Sequence, residues 1–246
     1  MFSDLPLPSL LGLIVVLLLS LSWHEAAHAW MADRLGDPTA RQLGRVSLNP
    51  LRHIDPFLSL ILPAVLIWAG IPPLAGGKPV PINVANFRHR SRDFMLVAVA
   101  GPLSNLVLSA AFGLFFVGCV ALGIFVEAIP NPYGEATAWV PSVLGANELV
   151  PSLFWLQMGL LLNISLALFN LIPIPPLDGS RIVGWLLPGP LKPYWYRLDR
   201  FAFLIIVALY LALQMGAGDM LFGAIQWAWL QVGDHVDALA HAVVPG

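Results

Sequence analysis

Charge is the scarcest property of this sequence. Its 246 residues include 12 Lys and Arg, 14 Asp and Glu, and 6 His. Charged side chains make up 11% of the chain, against about 25% in a soluble domain, which is too little polar surface to cover a globule. The sequence therefore reads as an integral membrane protein. A formal net charge of −2 leaves no basic surplus for a nucleic-acid partner. A single cysteine, Cys119, excludes an internal disulfide and any metal site made of several thiols. Basic residues are missing from the N-terminal "MFSDLPLPSL" as well. A secretory leader would have a basic start, a shorter apolar core and a small-residue cleavage site, so the first segment reads as a permanent membrane helix. No soluble domain of useful size, internal repeat or low-complexity tract is visible.

What is present is a series of apolar stretches, roughly 5–32, 57–71, 94–127, 152–173 and 201–216, with a shorter one at 219–232. A span needs about 20 apolar residues, so 57–71, short and interrupted by Pro63, falls short. All twelve Lys and Arg lie in three loops, 33–56, 72–93 and 174–200. Positive-inside bias puts those loops in the cytoplasm. Segment 57–71 lies between two of them and is expected to enter and leave on one face, as a re-entrant or interfacial hairpin. The Gly/Pro-rich stretch after it, with Val80, Ile82 and Val84 alternating, is expected to form a short β-ribbon over 72–86. The expected fold class is an all-α polytopic membrane protein with about four transmembrane helices, both termini outside, and 219–232 on the outer interface. One domain covers 1–246, with C-terminal helices over 201–232.

The first apolar stretch ends in "WHEAAHAWMA". Ionisable side chains cost about 2.5–3.5 kcal/mol each at the centre of a membrane helix, and they usually mark function there. His24 and His28 are four apart and share one helical face. Two imidazoles so placed can reach one zinc ion, while Glu25 can take a proton from water activated there. Asp33, the first charged residue after His28, is nine residues beyond His24, or about 13 Å along a helix. The site thus lies inside the bilayer, nearer the cytoplasmic face, and implies a membrane-embedded substrate. A catalytic zinc takes three protein ligands and keeps a fourth position for water. In this topology Glu127, Glu135, Glu148, His235 and His241 fall on the outer side. Asp178, in "FNLIPIPPLDGSRI", falls on the inner side. Pro173, Pro175 and Pro176 rule out a regular helix before it, so extended backbone is expected to deliver Asp178, with Gly179 allowing a tight turn.

"HEAAHAW", "GRVSLNPLRHIDP", "KPVPIN", "AGPLSN" and "NLIPIPPLDG" follow one another in an order that resembles the site-2 protease family of intramembrane zinc metalloproteases, in its compact branch without a PDZ domain. The resemblance covers about 10–185. It implies one Zn2+ per chain held by His24, His28 and Asp178, with Glu25 activating the water, and a three-helix core matching 5–32, 94–127 and 152–173. It also draws attention to Asn170 as a catalytic donor to the developing oxyanion and to Asn105 as a substrate-positioning residue, each with a structural alternative in capping or helix packing. The implied activity is hydrolysis of transmembrane protein or peptide substrates near the cytoplasmic side of a bacterial inner membrane, as in regulated intramembrane proteolysis. A catalytically silent membrane-embedded binder is the alternative; the intact Glu25 argues against it. A metal transporter would show ligands on both halves of the membrane. His53 is expected to be structural or interfacial.

Overall fold

The computed structural model describes residues 7–55, 61, 77–121, 127–130, 137–140 and 151–212. It is mostly helical. Helix α1 runs Leu7–Arg34, α2 Thr39–Gln42, α3 Arg90–Ala121, α4 Pro151–Asn170, α5 Gly179–Leu186, α6 Lys192–Tyr196 and α7 Ala202–Ala212. Strands β1, Glu127–Pro130, and β2, Thr137–Val140, pair antiparallel with Glu127 opposite Val140. Among the described residues two stretches are long and apolar enough to cross a membrane, Ile14–Arg34 and Arg90–Cys119. The expected hairpin at 57–71, apart from residue 61, and the segment 219–232 lie outside the described residues.

The chain divides into two compact units. The first contains 1–17, 106–165 and 207–246. In it α3 meets α4, where Ser109 Oγ donates to Leu160 O at 2.8 Å. A Cβ on Gly159 would press on the Phe112 ring, and one on Gly12 would overlap the Trp155 indole. Small residues there let the backbones approach closely, as helix pairs in membranes do.

The second unit contains 18–105 and 166–206. Here α1 ends in a Schellman turn. Gly36 adopts φ 108°, Gly36 N–H donates to Asp33 O, and Asp37 N–H to Ala32 O. Directly after the turn the buried Asp37 carboxylate accepts from Thr39 N and Oγ1, Asn83 N and Asn86 Nδ2. Asp37 thereby ties the end of α1 to the chain at 83–86. A small core of Ala32, Phe87 and Val97, packed by Met31, Leu35, Ile82, Val84 and Phe94, holds the same region.

No ladder forms over 77–86, and the rest of the expected ribbon, 72–76, lies outside the described residues. Gly77 makes an isolated bridge with Ile54, and Val84–Asn86 is a 3-10 turn whose Asn83 side chain accepts from Ala85 N. The alternation of Ile82 and Val84 reflects packing into the small core rather than a pleated pair. Asp178 also differs from expectation. Residues 171–178 fold as successive turns, with Ile174 N–H donating to Ile172 O and Leu177 N–H to Ile174 O. Asp178 itself has helical angles, φ −58° and ψ −36°, at the start of α5. Gly179 has no positive φ; a Cβ there would collide with the carbonyls of Leu171 and Ile172, so its role is close approach.

Candidate metal centre

Three donor atoms converge from two distant parts of the chain. His24 and His28 lie one turn apart on α1, both buried, and Asp178 arrives at the head of α5. His24 Nε2 and His28 Nε2 are 2.9 Å apart, and they lie 3.2 and 3.4 Å from Asp178 Oδ2. Among the described residues this is the one group of His, Cys, Asp and Glu donors close enough to share an ion, all within 4.8 Å.

The outer ring nitrogens explain why the inner ones face each other. His28 Nδ1 lies 2.7 Å from Val97 O, which can only accept, so Nδ1 carries the proton and Nε2 presents a lone pair. His24 Nδ1 lies 3.0 Å from Asn105 Oδ1, which assigns the same tautomer. Asp178 Oδ2 is buried with no hydrogen-bond donor among the described residues. Two imidazole nitrogens and a carboxylate oxygen facing one another at these distances need a proton or a cation between them. Two nitrogens and one oxygen also form a donor set that catalytic zinc accepts. The residues therefore fit the implied metal.

Glycine makes this geometry possible on the α3 side. A Cβ on Gly101 would overlap both imidazole rings, so α3 passes α1 at backbone distance. Buried Pro102 follows inside the helix. Asn105, wholly buried, sits one turn beyond Gly101.

Glu25 is half-buried, and its Oε2 accepts from Val80 N–H at 3.2 Å. Asn105 is brought to the site through His24. The side chain of Asn170 donates from Nδ2 to Leu166 O in its own helix at 2.9 Å. His53 Nε2 donates to Ser47 O, and its carbonyl accepts from Lys78 N–H, each at 2.7 Å. Residues 135, 148, 235 and 241 are outside the described residues, and Glu127 begins β1. Val97 carries no signal in the sequence, and nothing in the sequence ties Val80, Gly101 or Arg45 to the two histidines. "KPVPIN", "AGPLSN" and "GRVSLNPLRHIDP" nevertheless bracket three of them.

Residues 12–213 match the family described as Peptidase family M50. A Bacillus subtilis relative named "Putative zinc metalloprotease YwhC" is 35% identical over 206 residues, 83% of this chain and 82% of that protein. A Mycolicibacterium smegmatis relative bearing the same description, Rip2, is 31% identical over 198 residues, 78% of this chain and 63% of its own length. Rip3 of Mycobacterium tuberculosis is 33% identical over 174 residues, 70% of this chain but 30% of that longer protein. No solved structure matches.

Proposed function

The chain belongs to peptidase family M50, the site-2 protease family of metalloproteases, and from that premise we propose that it cleaves transmembrane proteins or peptides within the bilayer, near the cytoplasmic face. The observation that carries this reading is the meeting of His24, His28 and Asp178 beside Glu25 on a helix apolar enough to span.

His24, His28 and Asp178 are the residues proposed to hold one Zn2+ per chain. When bound, zinc supplies a positive charge that polarises a carbonyl and lowers the pKa of a water toward about 7. Glu25 takes a proton from the attacking water and delivers it to the leaving amine. Asn105 Nδ2 is buried with no acceptor among the described residues and is assigned to the substrate backbone. Asn170 keeps one amide hydrogen beyond its bond to Leu166 and is assigned to the developing oxyanion.

The proposed topology remains four spans, with α4 and the 201–216 stretch joining the two long helices, and the three basic loops in the cytoplasm of a bacterial cell. This puts the donors at a depth where a substrate helix must unwind before its carbonyls are exposed. The deciding experiment is metal analysis of detergent-purified protein with a cleavage assay in proteoliposomes. Wild type is expected to hold about one zinc per chain. Asp178→Ala should lose most of it, while Glu25→Gln should keep zinc and lose cleavage. A folded wild type without zinc, or a Glu25→Gln variant as active as wild type, overturns the reading.

A further inference from the structure

The motif "KPVPIN" has a function beyond packing. Pro79 and Pro81 carry no N–H, so residues 79–81 have one amide hydrogen among them, that of Val80. That hydrogen is donated to Glu25 Oε2. The surrounding chain is anchored by other groups. Arg45 Nη2 donates to Lys78 O at 2.5 Å and Pro79 O at 3.1 Å, and Nη1 donates to Arg52 O. Arg45 is buried, and its guanidinium bonds go to backbone carbonyls rather than to a carboxylate. On one side Lys78 N–H is held by His53 O, and on the other Asn83 N–H is held by Asp37 at 2.7 Å.

Building on the protease reading, we propose that the Val80 amide is a positioning group for Glu25, presented by the Pro-Val-Pro sequence and held in place by Arg45 and Asp37. A glutamate's terminal torsion is broad and roughly two-fold, so its oxygens are otherwise free to rotate. A hydrogen bond to Oε2 fixes the carboxylate plane and leaves Oε1 to take the proton. The prolines serve this in two ways. They hold the backbone extended around Val80, and they remove the neighbouring amides that would compete for the carboxylate.

The same groups weigh against a substrate strand pairing with 79–81. Strand addition relies on free main-chain donors and acceptors. Across 79–81 two donors are absent, the third is engaged, and the Pro79 carbonyl is taken by Arg45.

The test replaces the Val80 amide by an ester, through incorporation of the corresponding α-hydroxy acid. The Glu25 carboxylate stretch is isolated as the infrared difference between each protein and its Glu25→Gln counterpart, in metal-free samples. The ester should shift this band, whereas Val80→Ala, which keeps the N–H, should retain it. In zinc-loaded protein the ester should lower kcat about tenfold to a hundredfold with KM and zinc content held. An unmoved band overturns the hydrogen bond, and a moved band with unchanged kcat overturns its positioning role. A wild type that holds zinc and cleaves nothing overturns the protease reading instead, with the band still deciding the bond.

Discussion

At the residue scale, the donor atoms owe their arrangement to groups that never touch the metal. The His24–Glu25–His28 spacing is readable in sequence because a helix turns once in 3.6 residues and because charge in an apolar span is costly. The bond between His24 and Asn105 joins residues 81 positions apart and is not readable without the fold. Asn105→Leu is expected to weaken zinc binding about 10- to 100-fold in a chelator competition, because the tautomer of His24 is no longer fixed. Asn105→Asp retains an accepting oxygen and should bind far more tightly than the leucine variant. Equal losses in the two would show that Asn105 acts through packing alone.

At the element scale, the short connections do more than the long helices to place the chemistry. The prolines before Asp178 correctly signal that α4 stops at Asn170. They do not reveal that the next eight residues close into turns, because such bonds depend on local geometry that proline permits as readily as extension. The alternation at 80–84 misleads for a related reason. A period of two reads alike in a paired strand and in a single extended chain held by side chains, and the prolines deny the ladder its donors. Asp37 holds this element. Burial alone would raise its pKa, but hydrogen bonds from Thr39, Asn86 and the Asn83 backbone outweigh that and hold it below the usual carboxylate value. A pKa lowered by folding stabilises the protein fully above the unfolded value of about 3.9, and the contribution is lost as pH falls through the folded value. Asp37→Asn should therefore unfold more easily at pH 7, by about 1–3 kcal/mol. The gap from wild type in detergent melting should narrow below about pH 4. A gap independent of pH would assign the loss to geometry rather than charge.

At the scale of the whole molecule, every group named in the site, with Val80, Arg45 and Asp37, belongs to the unit of 18–105 and 166–206. Helices α1, α3 and α4 each contribute a further stretch to the other unit. Changes there should affect stability without affecting the metal. Gly12→Val, which drives a side chain into the Trp155 indole, is expected to cost about 1–3 kcal/mol in melting while zinc affinity stays at the wild-type value. A parallel fall in affinity would show that the two units act as one. The low share of charged residues is what points to a membrane protein from sequence. Which glycine meets which ring is absent from any such count, because it depends on contacts between helices far apart in the chain.

The two histidine bonds have one more consequence, for what insertions and deletions the gene can carry. His24 meets Asn105 and His28 meets Val97, so a step of four along α1 answers a step of eight backwards along α3. The antiparallel helices are thus riveted at two points. One residue added or removed between 24 and 28, or between 97 and 105, turns that stretch by about 100° and breaks the match. A single insertion or deletion within 24–28 or 97–105 is therefore expected to abolish zinc binding, while residues added near position 7 leave both rivets where they are.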